Sequence, residues 1–173
     1  VGKTTVLKLV DFCLGGKAKE IYTDSENKKN EYILVKDFLV KNTVLISLTL
    51  KDDLSQKESS EVIIERNFLN HKNKIQRING LKKTDDEFEE ELTNLLFSGH
   101  YGKKPSFRQI IAHNIRYKDL SINNTLKNLD FNTHDDEYET LYLFLLGCNF
   151  EQGNAKQELR SQIDLEEKFK KTI

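Results

Sequence analysis

The chain has 173 residues, a net charge of −1 and 32% charged residues, with no Met and no Trp. That length holds one domain and an appendage, and a near-neutral total excludes a strongly basic nucleic-acid-binding domain while leaving room for a local patch. Cys13 and Cys148 lie in apolar helical contexts and read as buried thiols, and no stretch approaches the roughly 18 apolar residues of a membrane span. A cytoplasmic protein without a membrane partner is expected.

The first residues, Val1-Gly2-Lys3-Thr4-Thr5, are the back half of the phosphate-binding pattern G-x-x-x-x-G-K-[ST]. The strand and first glycine are expected ahead of Val1, so the sequence reads as a segment of a longer protein. Gly2 lets the backbone approach a phosphate, Lys3 supplies a cation for its oxygens, and the Thr4 hydroxyl suits Mg²⁺. Gly2, Lys3, Thr4 and Thr5 are therefore the nucleotide-binding candidates, on a helix whose free N–H groups and partial positive charge face the anion. Val6 to Leu14 is apolar nearly all round, which predicts a helix buried against a sheet, and Gly15-Gly16 predicts its end.

Lys17 to Asn30 is polar, with turn formers at Asp24, Ser25 and Asn27, and reads as a loop near the nucleotide. Glu31 to Val40 fits a short helix or an edge strand. Thr43 to Leu50 alternates apolar and polar residues as a half-buried strand, and Val62 to Arg66 reads as a second strand after a polar turn. Asn79-Gly80 predicts a type I′ hairpin. Thr84 with Glu87 forms a capping box ahead of a helix through Phe88, Leu92, Leu95 and Leu96, and Ser106 is the N-cap of a helix over Phe107 to Ile115. Thr133 with Asp136 reads as a further capping box, followed by a helix with Tyr138, Leu141, Tyr142, Leu145 and Leu146 on its core face and Gly147 at its end. From Gln152 the residues are Lys, Glu and Gln with scattered apolar positions. They predict a helix that either starts a coiled-coil arm or caps the same domain.

This order of parts, with V-I-I-E-R-N-F at 62–68, I-Q-R-I-N-G-L-K at 75–82, F-R-Q-I-I at 107–111 and D-E-Y-E-T-L-Y-L-F-L-L-G at 136–147, resembles the N-terminal half of the head of SMC-like and RecN-like ATPases, including a bacterial group of coiled-coil ATPases. The resemblance covers most of residues 1–150, with 151–173 as the candidate start of the arm. It implies an α/β fold with an α+β-like lobe: a P-loop NTPase half-domain with antiparallel strands and a helical second half. It further implies ATP and Mg²⁺ as cofactors, and a site completed by the C-terminal half of the same head, which carries the signature motif and the Walker B acid. The head is expected to form a homodimer through ATP, to hydrolyse ATP only when complete, and to serve DNA repair or related DNA work. The family places a Mg²⁺-coordinating glutamine after the antiparallel lobe, and Gln109 matches it best, with Gln76 as competitor.

His71, His100, His113 and His134 lack ligand spacing, and no catalytic residue is assigned within these residues. The acidic run Asp85 to Glu91 reads as a solvated face at a helix start. Lys103, Lys104, Arg108, Arg116 and Lys118, around Tyr101, Phe107 and Tyr117, are either a DNA-backbone contact or a counterweight to that acidic helix. The rival to the ATPase is a non-catalytic helical interaction module, in which the Gly-Lys-Thr is a chance or decayed P-loop and the helical C-terminal half binds a protein partner. A GTPase-like switch is disfavoured, because neither Asn30 nor Asn128 stands in an N-K-x-D context.

Overall fold

The structure is a computed structural model that describes residues 2–24, 27, 30–56, 58–100, 104–148 and 153–170. It is mixed α/β. In chain order the elements are helices α1 (Lys3–Cys13), α2 (Lys19–Tyr22) and α3 (Ile33–Lys41), strands β1 (Leu45–Lys51), β2 (Glu61–Asn67), β3 (Gln76–Ile78) and β4 (Leu81–Lys82), and helices α4 (Asp85–Leu96), α5 (Phe107–Asn114), α6 (Asp119–Asn123), α7 (Asp135–Leu145) and α8 (Gly153–Lys170). The strands form one antiparallel meander in the order β1-β2-β3-β4.

Register fixes what each sheet face carries. Leu48 pairs with Ile64 and Ile64 with Ile78, so these side chains share one face with Ile46, Leu50, Val62 and Arg66. That face packs on α1, α4 and α5 through a core of Phe12, Cys13, Leu14, Ile64, Phe68, Ile78, Phe88, Leu92, Phe107 and Ile111. Phe12 stacks on Phe68 with ring centroids 4.7 Å apart. A second cluster, Ile110, Leu129, Tyr138 and Leu141, lies between α5 and α7, and Phe97 packs against both clusters. Asn79 and Gly80 both have positive φ, 49° and 79°, as a type I′ turn requires, and the Asn79 amide oxygen accepts the N–H of Ile63 at 2.9 Å.

The expected capping box at Thr84 and the expected N-cap at Ser106 are present, Thr84 N–H donating to Glu87 at 2.8 Å, and Ser106 makes a full capping box, its N–H donating to Gln109 at 2.9 Å. The N-cap of α7 is His134 and not Thr133, because the N3 carboxylate that turns back to the N-cap N–H belongs to Glu137. Residues 19–22 form a helix where a loop was expected, tied beyond it by the Thr23–Glu31 bridge, and the open choice at residues 31–40 resolves as helix. Cys13 is buried as expected, whereas Cys148 is exposed, since it follows Gly147 beyond the end of α7. α1 is buried only in its last turn; Val6 is 59% exposed, because the sheet, α2 and α5 all meet the C-terminal end of this helix.

Three helices stop by one device. In α1, α3 and α7 the N–H groups of the two residues after the C-cap return to carbonyls of the last turn: Gly15 to Phe12 and Gly16 to Asp11, Thr43 to Val40 and Val44 to Leu39, Gly147 to Phe144 and Cys148 to Leu143. The pivotal residue is left-handed each time, with φ of 90°, 47° and 69° at Gly15, Thr43 and Gly147. A β-branched residue is strained there, at a cost of about 1–2 kcal/mol. Thr43→Gly should therefore raise the free energy of urea unfolding by about 1 kcal/mol, and Gly147→Ala should lower it by a similar amount.

Candidate functional site

The N-terminus of α1 carries the predicted nucleotide-binding residues together. Gly2 is left-handed (φ 95°, ψ −14°) and no heavy atom lies within 4 Å of where its Cβ would stand, so the backbone angle, not space, calls for glycine. Its carbonyl accepts the N–H of Val6 at 3.1 Å, and helix begins at Lys3. A left-handed residue ahead of right-handed ones turns successive N–H groups toward one point, the concavity that binds anions. Gly2 supplies no side-chain cap, the first turn holds no acid, and Lys3, Thr4 and Thr5 are exposed, so the first-turn N–H groups have no intrahelical acceptor.

Gln109 is placed elsewhere. It is the N3 residue of α5, where its Oε1 accepts from Ser106 and its Nε2 donates to Glu137 Oε1 at 3.1 Å. Its neighbour Arg108 reaches the C-terminal end of α1, and eleven helical residues, about 16 Å of rise, separate that end from Gly2. Gln76 is also engaged, donating to Thr84 O at 3.2 Å and Asp85 Oδ1 at 3.0 Å. The structure thus groups Gly2 to Thr5 and brings neither glutamine to them.

That opposite end of α1 holds a charged cluster. Arg108 donates to Leu14 O and to Asp11 Oδ1, both at 2.7 Å, and the Tyr117 hydroxyl donates to Asp11 Oδ2 at 2.9 Å. Arg66, from β2, donates to the carbonyls of Phe12 and Gly16, and its guanidinium lies 4.4 Å from the Phe12 ring centre and 5.4 Å from that of Phe88. Burial lowers the Arg66 pKa, pushes the Cys13 thiol up to about 11, and, with the Asp11 charge, raises that of Tyr117. Gly16 is required by space: a Cβ would meet Asp11 Oδ2 at 2.5 Å and Asp11 O at 2.7 Å. Sequence reasoning passed over this cluster, yet Asp11 gave a signal. A single carboxylate inside an apolar helix must find partners or stay in water.

The described cations of the predicted basic cluster all have partners within the fold. Lys104 pairs with Glu137 at 2.7 Å, Arg108 with Asp11, Lys118 with Glu20 at 3.3 Å, and Arg116 Nε donates to His113 O at 3.0 Å. Phe107 is core, and Tyr101 and Lys103 lie outside the described residues. Burial first, then the bonds from Lys104 and Gln109, decide Glu137: burial pushes it up, and the bonds outweigh it, so its pKa falls below the usual carboxylate value. Among the described residues no cluster of three His, Cys, Asp or Glu side chains could hold a metal, and no helix is long and apolar enough to cross a membrane.

With this geometry in hand, comparison with protein-family models, curated proteins and solved structures finds no match.

His113, 7% exposed, donates from Nδ1 to Asn128 Oδ1 at 2.7 Å, while Asn128 Nδ2 donates to His113 O at 3.0 Å. Burial, reinforced by Arg116 and opposed by Asn128, lowers the His113 pKa from 6.5. The folded state then binds the proton less readily than the unfolded chain, so stability is complete above about pH 6.5 and declines as pH falls through the depressed value. Urea midpoints measured at about pH 7.5 and about pH 5.5 should drop on acidification, and His113→Gln should flatten that drop.

Proposed function

We propose that residues 1–150 are the N-terminal part of an ABC-class ATP-binding head of the SMC-like and RecN-like kind, a P-loop NTPase half-domain of a cytoplasmic DNA-linked ATPase. The observation that carries it is left-handed Gly2 directly before Lys3-Thr4-Thr5 on a helix start that no side chain caps. The first-turn N–H groups bind phosphate oxygens, Lys3 contributes its charge to the β- and γ-phosphates, and the Thr4 hydroxyl offers an oxygen to Mg²⁺. Gln109 enters the site only through a rearrangement that frees its amide from Ser106 and Glu137. The C-terminal half of the head covers the bare first turns of α1, where Val6 and Leu7 face solvent, and two heads pair through ATP. The α8 helix begins the arm.

One observation favours a rival. α3 has no buried residue, and Ile33, Leu34 and Phe38 are exposed, Leu34 at 86%, so a non-catalytic module could seat a partner there.

Calorimetry separates the two. In the chain extended at its start to complete the loop, Lys3→Ala should abolish ATP binding with the fold intact, and Thr4→Ala should weaken the Mg²⁺ dependence most. ATP affinity unchanged by Lys3→Ala would defeat the P-loop assignment and leave the module.

Residues 1–173 alone should release phosphate from ATP no faster than background, because charge in the transition state must be met by groups of the other half and of a second head. Turnover that Lys3→Ala removes would place a complete active site within this chain.

A further inference from the structure

The outer face of the sheet, away from α1, ends in a groove of about 580 Å³ that the sequence-predicted basic cluster does not include. Lys72, Lys74, Arg77 and Lys82 line it, and among the described residues no carboxylate does. Arg77 and Lys82 are register partners on β3 and β4, while Lys72 and Lys74 stand on the connection between β2 and β3. That connection is pinned: Asn67, 5% exposed, donates from Nδ2 to Asn73 O at 2.9 Å and accepts the N–H of Ile75 at 2.8 Å. The rim that carries Lys72 and Lys74 is therefore held by a buried amide.

Within the groove, Lys74 pairs with Asp85 and Arg77 approaches Glu65 at 3.6 Å, whereas Lys72 and Lys82 are exposed and form no ion pair among the described residues. The contrast with Lys104, Arg108 and Lys118 is direct, since each of those already has a carboxylate within ion-pair distance. Among the described residues no aromatic side chain lines the groove, and they offer nothing on which a base could stack. Cations on both rims without stacking partners suit a regularly charged backbone read without regard to sequence.

We propose that this groove binds the phosphate backbone of a nucleic-acid duplex. The assignment stands on the groove itself and names the surface through which the proposed ATPase would touch DNA. It does not require that α1 bind a nucleotide.

The test is fluorescence anisotropy of a labelled random-sequence DNA duplex titrated with the 173-residue chain across a salt series. Binding should weaken with salt with a slope between about −2 and −4 in log K against log salt, as two to four phosphate contacts imply. Lys72→Glu with Lys82→Glu should raise Kd at least about tenfold and remove about two contacts from the slope, with the circular dichroism spectrum unchanged. Lys72→Ala with Lys82→Ala should shift Kd in the same direction by less. Arg116→Glu and Lys3→Ala should each leave duplex affinity as it was, so a failed ATP titration and a failed duplex titration are separate results. No duplex binding at low salt, an unchanged Kd in the double glutamate variant, or tighter binding of polyglutamate than of duplex would each overturn the assignment.

Discussion

The sheet and α5 are both registered against the C-terminal end of α1. The last carbonyls of a helix lack partners and carry the negative end of its dipole, and here two guanidinium groups from distant parts of the chain meet them. Arg66 brings the sheet to Phe12 O and Gly16 O; Arg108 brings α5 to Leu14 O and to the carboxylate of Asp11, which also takes the Tyr117 hydroxyl. Such an arrangement is costly to break from one side. A buried carboxylate left without its arginine loses about 3–5 kcal/mol, a large part of a domain's whole stability. Arg66 has no carboxylate within ion-pair distance among the described residues, and two carbonyls and the faces of Phe12 and Phe88 hold its charge instead.

Because one end of α1 is saturated, its two ends differ in what they can do. At the C-terminal end the carbonyls of Asp11, Phe12, Leu14 and Gly16 accept hydrogen bonds, and Gly15 and Gly16 close the helix. The N-terminal end keeps free N–H groups beside Lys3 and Thr4. A rigidly held helix with an open positive terminus is preorganised for an anion, since little order is lost when the ligand arrives. The sheet repeats this asymmetry: its inner face is spent on α1, and its outer face remains open, with cations gathered at one end.

What the sequence made legible was local. The alternation in β1, the Asn79-Gly80 turn, the capping box at Thr84, the N-cap at Ser106 and the glycine stops at Gly15 and Gly147 all depend on residues within a few positions of one another. What stayed hidden was long-range. Asp11 and Arg108 are 97 positions apart, and nothing in their neighbourhoods predicts that they meet. The basic residues near Arg108 looked like a surface because their carboxylates, Asp11, Glu20 and Glu137, lie far away in sequence. Gln109 looked free for a metal, although the capping box that Ser106 announces needs a glutamine or glutamate three residues later. Apolarity all round α1 predicted a buried helix, but burial depends on which elements arrive, and they arrive at one end.

A double-mutant cycle on Asp11 and Arg108 tests this arrangement most directly. Urea unfolding of the wild-type chain, Asp11→Ala, Arg108→Ala and the double variant should yield a coupling free energy of about 3 kcal/mol, with each single variant nearly as destabilised as the double. Additive single effects, with coupling below about 0.5 kcal/mol, would show that the fold is not anchored at the C-terminal end of α1.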